Sequence, residues 1–194
     1  MLHSSQQINI CVLGSGNVGK SALTLQFMYE EFVEDYEPTK SDSYSKTIPL
    51  NGYHVDVSIL DTAGQESYAG IMDMFYRNSD GFIIVFSITD YESFTAVVPL
   101  LERYLINPQS VRIPCVLVGN KKDLIDQRQV STESACKLAQ QWRISYIETS
   151  AKTQENVKEL FHAMASDILQ MKLANTQPQV PQNKSNEGGC CCIL

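Results

Sequence analysis

Short apolar runs alternate with stretches of helical periodicity along most of the chain. Ile8 to Leu13 is an apolar run of strand length, and Ala22 to Met28 carries a helical pattern behind it. Tyr44, Lys46, Ile48 and Leu50 then alternate with polar or small residues, and Val55, Val57 and Ile59 alternate in the same way up to Leu60-Asp61. Asn51-Gly52 between them is a hairpin turn signal, so these two strands are predicted to be antiparallel. Pro49 places the first at a sheet edge, because proline has no N–H for a ladder. Phe82 to Phe86 is continuously apolar, as expected of a central strand covered on both faces. Val116-Leu117-Val118, entered through Pro114, is another buried strand, and Tyr146 to Glu148 marks the last.

Helices fall between these runs. A weak one is predicted over Tyr68 to Arg77, and another within Glu92 to Leu105, where Pro99 should kink it or delay its start. Ala135, Leu138, Ala139 and Trp142 line one helical face that Ser131 can cap. Val157, Leu160, Phe161, Met164, Ala165 and Ile168 give a final amphipathic helix. The sum is six strands and five helices in an α/β domain with a mainly parallel sheet and one antiparallel edge strand. That domain is predicted over residues 1–173. Residues 174–194, with Pro178, Pro181, Gly188 and Gly189 among polar neighbours, read as a flexible linker.

Composition narrows the function classes. Fifteen basic against 22 acidic residues leave a net charge of -7 with no basic patch, which argues against a nucleic-acid partner. The 43% of hydrophobic residues suffices for a normal core, but no apolar run is long enough to span a bilayer. The first residues lack signal-peptide character, and Leu2 stands where N-myristoylation needs glycine. Cys11, Cys115 and Cys136 are expected to be small buried hydrophobes of a cytosolic protein, since their spacing suggests neither disulfides nor zinc.

The chemistry gathers at Gly14-Ser15-Gly16-Asn17-Val18-Gly19-Lys20-Ser21, which fits G-x-x-x-x-G-K-S/T between the first strand and the first helix. Glycines there let successive N–H groups face a polyphosphate, and the helix N-terminus adds unpaired donors and a positive dipole end. Lys20 is placed to reach the outer phosphates, and Ser21 can offer its hydroxyl to Mg²⁺. Three further pieces follow strands. Asp61-x-x-Gly64 can hold Mg²⁺ through water and meet a terminal phosphate with the Gly64 N–H. Asn120-Lys121-Lys122-Asp123, with Leu124 next to it, follows a strand whose carboxyl end is where open parallel sheets bind ligands. A buried Asp123 carboxylate can accept from both N–H groups on the Watson–Crick side of guanine, a donor pair adenine lacks. Thr149-Ser150-Ala151-Lys152 can offer the Ala151 N–H to guanine O6 and the Lys152 stem to the ring. Thr39, in the long polar loop Glu30 to Ser43, can complete the Mg²⁺ shell. Alone, Asp61-x-x-Gly64 is equally an ordinary turn, and Asn120 to Asp123 is a weak signal that a solvated loop also fits. Thr149 to Lys152 alone is better read as a strand-end turn, and Thr39 as a single residue decides nothing. Their joint order around one nucleotide is what favours the functional reading.

These residues resemble the small GTPases of the Ras superfamily from about Gln7 to Ile168, so the fold implied is the P-loop NTPase G domain. Tyr36 to Tyr44, Ile59 to Glu66 and the ending Cys191-Cys192-Ile193-Leu194 are most similar to the Ral branch of the Ras family. The resemblance implies GTP/GDP and Mg²⁺ as cofactors. It also implies nucleotide contacts at Gly14, Ser15, Gly16, Asn17, Val18, Gly19, Lys20, Ser21, Ala22, Phe32, Tyr36, Pro38, Thr39, Gly64, Asn120, Lys121, Asp123, Leu124, Ser150, Ala151 and Lys152. Phe32 matches an aromatic that packs edge-on against guanine. Ser21, Thr39 and, through water, Asp61 match the metal residues. Gln65 matches the residue that orients the attacking water, with Lys20, Thr39 and Gly64 beside it in catalysis. Residues 36–44 and 64–77 match the two switches that effectors read. Partners implied are a nucleotide exchange factor, a GTPase-activating protein and effectors, with exocyst subunits among them.

The departures are specific. Asn17 stands where Ras and Ral carry glycine, Ser41 where Ral has alanine, and Pro99 inside a helix that is continuous in the family. Cys191-Cys192-Ile193-Leu194 fits C-a-a-X with a terminal leucine, which implies geranylgeranylation of Cys191. The polybasic stretch of Ral is missing, with Lys172 and Lys184 and little else, so Cys190 is the candidate for a palmitoyl group as the second anchor. The expected location is the cytoplasmic face of the plasma membrane or an endomembrane, with the G domain in the cytosol. Two other classes stay open at this level: a guanine-nucleotide recruitment module that hydrolyses nothing, against which Gln65 argues, and a P-loop ATPase or nucleoside kinase, against which Asn120 to Asp123 argue.

Overall fold

The computed structural model describes residues 6–32, 42–62, 77–105 and 113–176. Six strands form one sheet: β1 (Gln6–Leu13), β2 (Asp42–Leu50), β3 (Tyr53–Asp61), β4 (Gly81–Ser87), β5 (Cys115–Asn120) and β6 (Ser145–Glu148), in the order β2-β3-β1-β4-β5-β6. Only β2 and β3 pair antiparallel; every other neighbour is parallel. Asn51 and Gly52 take φ of 50° and 82°, the left-handed pair a two-residue hairpin needs. Pro49 sits opposite His54 on the outermost strand, where its missing N–H costs no ladder bond.

Among the described residues the helices are α1 (Lys20–Tyr29), α2 (Tyr91–Thr95), α3 (Val97–Leu105), α4 (Thr132–Trp142) and α5 (Val157–Thr176), with a 3-10 helix at Lys122–Gln127. They number five, but not the five expected from sequence. The single helix over Glu92 to Leu105 is two, broken at Ala96. Pro99 lies in the first turn of α3, where no backbone donor is required of it, and the chain restarts the helix just ahead of it. Asp90 caps α2 by accepting from the Glu92 and Ser93 N–H groups. Ser131 caps α4 from its hydroxyl to the Ser134 N–H at 3.1 Å, as expected. The helix predicted over Tyr68 to Arg77 falls almost wholly outside the described residues. The last helix runs to Thr176, past the boundary at Ala174 drawn from the sequence, and residues 177–194 lie outside the described residues.

Alternation along the strands sends side chains into two cores. Ile8, Ile10 and Val12 of β1, Val55, Val57 and Ile59 of β3, and Ile83 and Val85 of β4 pack with Leu23 and Phe27 of α1 and Phe161, Met164 and Ile168 of α5. Cys11, Leu13, Phe82, Ile84 and Phe86 face the other way, onto Val97 and Leu101 of α3 and Ala135 and Ala139 of α4. Of the three cysteines expected to be buried, only Cys11 is fully so; Cys115, at the start of β5, and Cys136, midway along α4, are half-buried. Burial still pushes the Cys115 thiol up to about 12, so it behaves as an inert hydrophobe.

Phe27 and Phe161 stack with ring centroids 4.4 Å apart and join α1 to α5 across the first core. Phe161→Ala should leave a cavity there and cost about 3–5 kcal/mol, read as a lower urea midpoint with an unchanged slope.

Candidate functional site

β1 hands over to α1 through six residues, 14–19, and backbone geometry fixes that loop. Gly14 has a φ of 140°, and a Cβ there would lie 2.1 Å from the Val85 carbonyl oxygen. Gly19 has a φ of 92°, and its Cβ would lie 2.4 Å from Asn120 Nδ2. Both positions exclude any other residue. Asn17 is also left-handed, with a φ of 61°, a conformation asparagine tolerates better than most side chains. Gly16 differs: a Cβ there would meet nothing within 4 Å, so the loop leaves open space in front of it. Lys20 is buried, and its ammonium donates to the carbonyls of Gly14 and Ser15, 2.8 Å each.

Asp61 ends β3 opposite Val12 of β1, fully buried. Among the described residues neither carboxyl oxygen has a hydrogen-bond partner. Burial pushes its pKa up to about 6; the Ser21 hydroxyl and the Lys20 ammonium pull the other way, and Asp42 adds to the rise. The Ser21 hydroxyl is thus near enough to act on the charge without closing a well-formed bond to either oxygen. Buried, unpaired carboxylate oxygens are costly, and a divalent cation beside Ser21 would satisfy them. The donor set of Ser21 and Asp61 therefore fits Mg²⁺.

The other two loops meet the first at the same end of the sheet. Asn120, buried at the end of β5, donates from Nδ2 to the Val18 carbonyl at 2.9 Å and accepts on Oδ1 from the Thr149 hydroxyl at 3.2 Å. Lys121 then turns through a φ of 67°, and Leu124, half-buried, marks a kink in the 3-10 helix. Burial lowers the Lys121 pKa, while Asp90 and Asp123 pull it back up. Ser150 donates its hydroxyl to Asp123 Oδ1 at 2.6 Å and accepts from the Thr153 N–H at 3.1 Å. Thr149, Ser150 and Ala151 are buried, whereas Lys152 is exposed. Asp123 itself is exposed, which corrects the expectation of a buried carboxylate. That hydrogen bond from Ser150 fixes its direction, and the residue stays exposed at the surface.

Residues 9–170 match the family described as "Ras family". The chain belongs to the Ras family. Over 190 residues, 95% of this chain and 92% of each relative, it is 50% identical to the Ras-related protein O-RAL of Diplobatis ommata and 48% identical to the Ras-related proteins Ral-B of Rattus norvegicus and ralB-A of Xenopus laevis. It is a small GTPase, a switch that binds GTP and GDP and hydrolyses GTP.

In this GTPase the described site residues converge on one edge. Gly14, Ser15, Gly16, Asn17, Val18, Gly19, Lys20, Ser21 and Ala22 form the loop and its helix start, with Asp61 beside them and Asn120, Lys121, Asp123, Leu124, Ser150, Ala151 and Lys152 facing them. Phe32, beyond the end of α1, is 39% exposed, an unusual state for a large aromatic. Tyr36, Pro38, Thr39, Gly64, Gln65, Cys190 and Cys191 lie outside the described residues. Sequence reading passed over Thr149 as a site residue, although its hydroxyl holds Asn120; a threonine directly before Ser150-Ala151 was the available signal.

The raised Asp61 pKa gives a sign that can be measured. Between 3.8 and about 6 the folded protein holds a proton that the unfolded chain has lost. That contribution to stability is present in acid and gone above about 6. In nucleotide-free, chelator-treated protein, Asp61→Asn should therefore gain up to about 3 kcal/mol over the parent at about pH 7.5 and much less at about pH 4.5, read from urea midpoints.

Proposed function

We propose that this GTPase is a Ral-like, membrane-bound switch in which Asp123 selects guanine while the loop 14–19 and Lys20 hold the phosphates. The observation that carries the reading is the buried Asn120 carboxamide, which ties the phosphate loop to the base loops through Val18 and Thr149. A ligand that fills both halves must be a phosphorylated base of fixed span. Asp123 accepts from the guanine N1–H and 2-amino groups, and the base covers the exposed carboxylate as it binds. The Ala151 N–H meets O6, the stems of Lys121 and Lys152 flank the ring, and Phe32 supplies an aromatic edge.

Ser21, Thr39 and, through water, Asp61 would hold Mg²⁺. When bound, the ion offsets the charge of the β- and γ-phosphates and of the leaving oxygen. Thr39 and Gly64 close on the γ-phosphate and order residues 36–44 and 64–77, which effectors then read. Gln65 orients a water in line with the γ-phosphorus. The water oxygen bonds to phosphorus as the bond to the β–γ bridging oxygen breaks, the water's proton leaves with the phosphate product, and Lys20 and the loop N–H groups take up charge on the departing GDP. No arginine aligns with an in-cis finger, so turnover is slow until a GTPase-activating protein supplies one; Ras is the standard example of that arrangement.

The domain spans residues 1–173, and residues 174–194 form the tether. Cys191 carries a geranylgeranyl group and Cys190 a palmitoyl group. The need for two lipids follows from charge: residues 177–194 hold Lys184 against Glu187, so no basic stretch draws them to an anionic surface. Lys172 is already committed to Asp80 at 2.6 Å and to the Gln7 carbonyl at 2.7 Å. Among the described residues no helix is long and apolar enough to cross a membrane. The effectors include exocyst subunits, with Ser41 altering that contact relative to Ral.

Two measurements test this. Asp123→Ala removes two charge-assisted hydrogen bonds to guanine and should weaken GDP binding by about 100-fold or more with little change for the other nucleotides; equal loss of GDP and ADP would refute base selection. Gln65→Leu should remain GTP-loaded in the presence of a GTPase-activating protein; parent-like turnover would remove Gln65 from the reaction.

A further inference from the structure

Behind the base loops lies a second polar centre, and Glu148 is its hub. Glu148 is the last residue of β6, immediately before Thr149-Ser150-Ala151. Its carboxylate takes both arms of the Arg128 guanidinium at 2.8 Å, the Thr132 hydroxyl at 2.9 Å and the Tyr146 hydroxyl at 2.9 Å. Its backbone carbonyl accepts from Asn156 Nδ2 at 2.8 Å, across the loop that carries Ser150 to Lys152. Each donor comes from a different part of the base site. Arg128 stands at the exit of the 3-10 helix that begins just after Asn120 and contains Asp123. Thr132 opens α4. Tyr146 lies on β6, with its hydroxyl packed against Gly119, where a Cβ would come within 2.6 Å of it.

We propose that Glu148 is a positioning residue for guanine: with Arg128 as its main partner, it sets the register of the Asp123 segment against the Ser150-Ala151 loop and so controls how long the nucleotide stays bound. This rests on the reading of Asp123 given above. The Asp123 carboxylate itself is tied to that loop by the Ser150 hydroxyl, while the Lys122 N–H meets the Thr149 carbonyl at 3.0 Å and the Thr149 hydroxyl meets Asn120. Each of these is a single neutral donor, which constrains distance but not tilt. The planar fork between Arg128 and Glu148 constrains both, because two parallel N–H···O bonds cannot rotate independently. The pair is also well placed for this work, with side chains only 19% and 11% exposed and therefore little screened. Burial works to raise the Glu148 pKa, yet Arg128, Tyr146 and Thr132 together hold it below its ordinary value, so the group is charged throughout the working range of pH. A largely buried ion pair of this kind adds little net stability compared with apolar packing. Its contribution is geometric.

The test compares release of GDP and of inosine diphosphate, which lacks the 2-amino group that Asp123 would accept from, using Glu148→Gln, Arg128→Met and the double variant. In the parent, GDP should leave more slowly than inosine diphosphate. Each single variant should release GDP about 10-fold faster while inosine diphosphate release changes by less than about 3-fold, and the double variant should add little to either, because the pair acts as one unit. Arg128→Lys, which keeps the charge and loses the fork, gives a milder variant with the same expected selectivity if the others fold poorly. GDP release within twofold of the parent, or GDP and inosine diphosphate release accelerating equally alongside a fall in Tm, would overturn the proposal. A parent that does not distinguish the two nucleotides would instead refute base selection by Asp123.

Discussion

One buried carboxamide holds the site together. Asn120 has a donor and an acceptor on the same rigid plane, and both are spent on other loops: the donor on the Val18 carbonyl, the acceptor on the Thr149 hydroxyl. Left unpaired in the interior, either half would cost the desolvation of a polar group. Paired, they fix the separation of three segments that are far apart in sequence. The close approach of Asn120 to Gly19 adds to the left-handed φ in requiring glycine at position 19, so the conformation of the phosphate loop and the position of the base loops are linked.

That constraint can act only because the sheet delivers the loops to one edge. β1, β3, β4, β5 and β6 all run parallel, so their carboxyl ends open on the same side. The order β2-β3-β1-β4-β5-β6 sets β1 between β3 and β4, with Asp61 at the end of β3 alongside the phosphate loop. The cores on the two faces keep these strands in register by burying alternate side chains, and a one-residue slip would turn each strand inside out. Fold stability and site geometry therefore draw on the same residues of β1 and β4.

Much of this was legible in the chain because it depends on local rules. The hairpin is written in Asn51-Gly52, the edge in Pro49 and the buried strand in Phe82 to Phe86. The helix break before Pro99 is equally local, since it follows from a missing N–H. What sequence could not supply was long-range. Nothing in Asn-Lys-Lys-Asp says which carbonyl the asparagine amide will meet, and nothing in the loop glycines separates Gly19, pressed on Asn120, from Gly16, which faces open space. The exposure of Asp123 was misjudged for a related reason. Burial was inferred from the selectivity a carboxylate needs, but here the fold only aims the group, through Ser150. The hub at Glu148 was invisible because its donors come from residues 128, 132 and 146, and neither a motif nor a period links them.

The frame also explains how the segment between α1 and β2 is held at both ends. At its start, Glu30 closes α1 in a left-handed conformation with its N–H on the Gln26 carbonyl, and its carboxylate pairs with Lys158 of α5 at 2.8 Å. Lys46 of β2 reaches back to the Phe27 and Met28 carbonyls, 3.1 Å each, and lies over the Phe27 ring. A cation at the C-terminal end of a helix is favoured both by the dipole and by the carbonyls left without intrahelical donors. One lysine therefore satisfies the end of α1 and pins β2 to it. The far end is fixed where Asp42 pairs with Asp61, whose carboxyl oxygens are buried without a hydrogen-bond partner among the described residues. Two like-charged groups placed opposite each other on a ladder repel, and Asp42 adds to the rise of the Asp61 pKa. A divalent cation held between Ser21 and Asp61 would relieve that repulsion at the point where the chain enters β2.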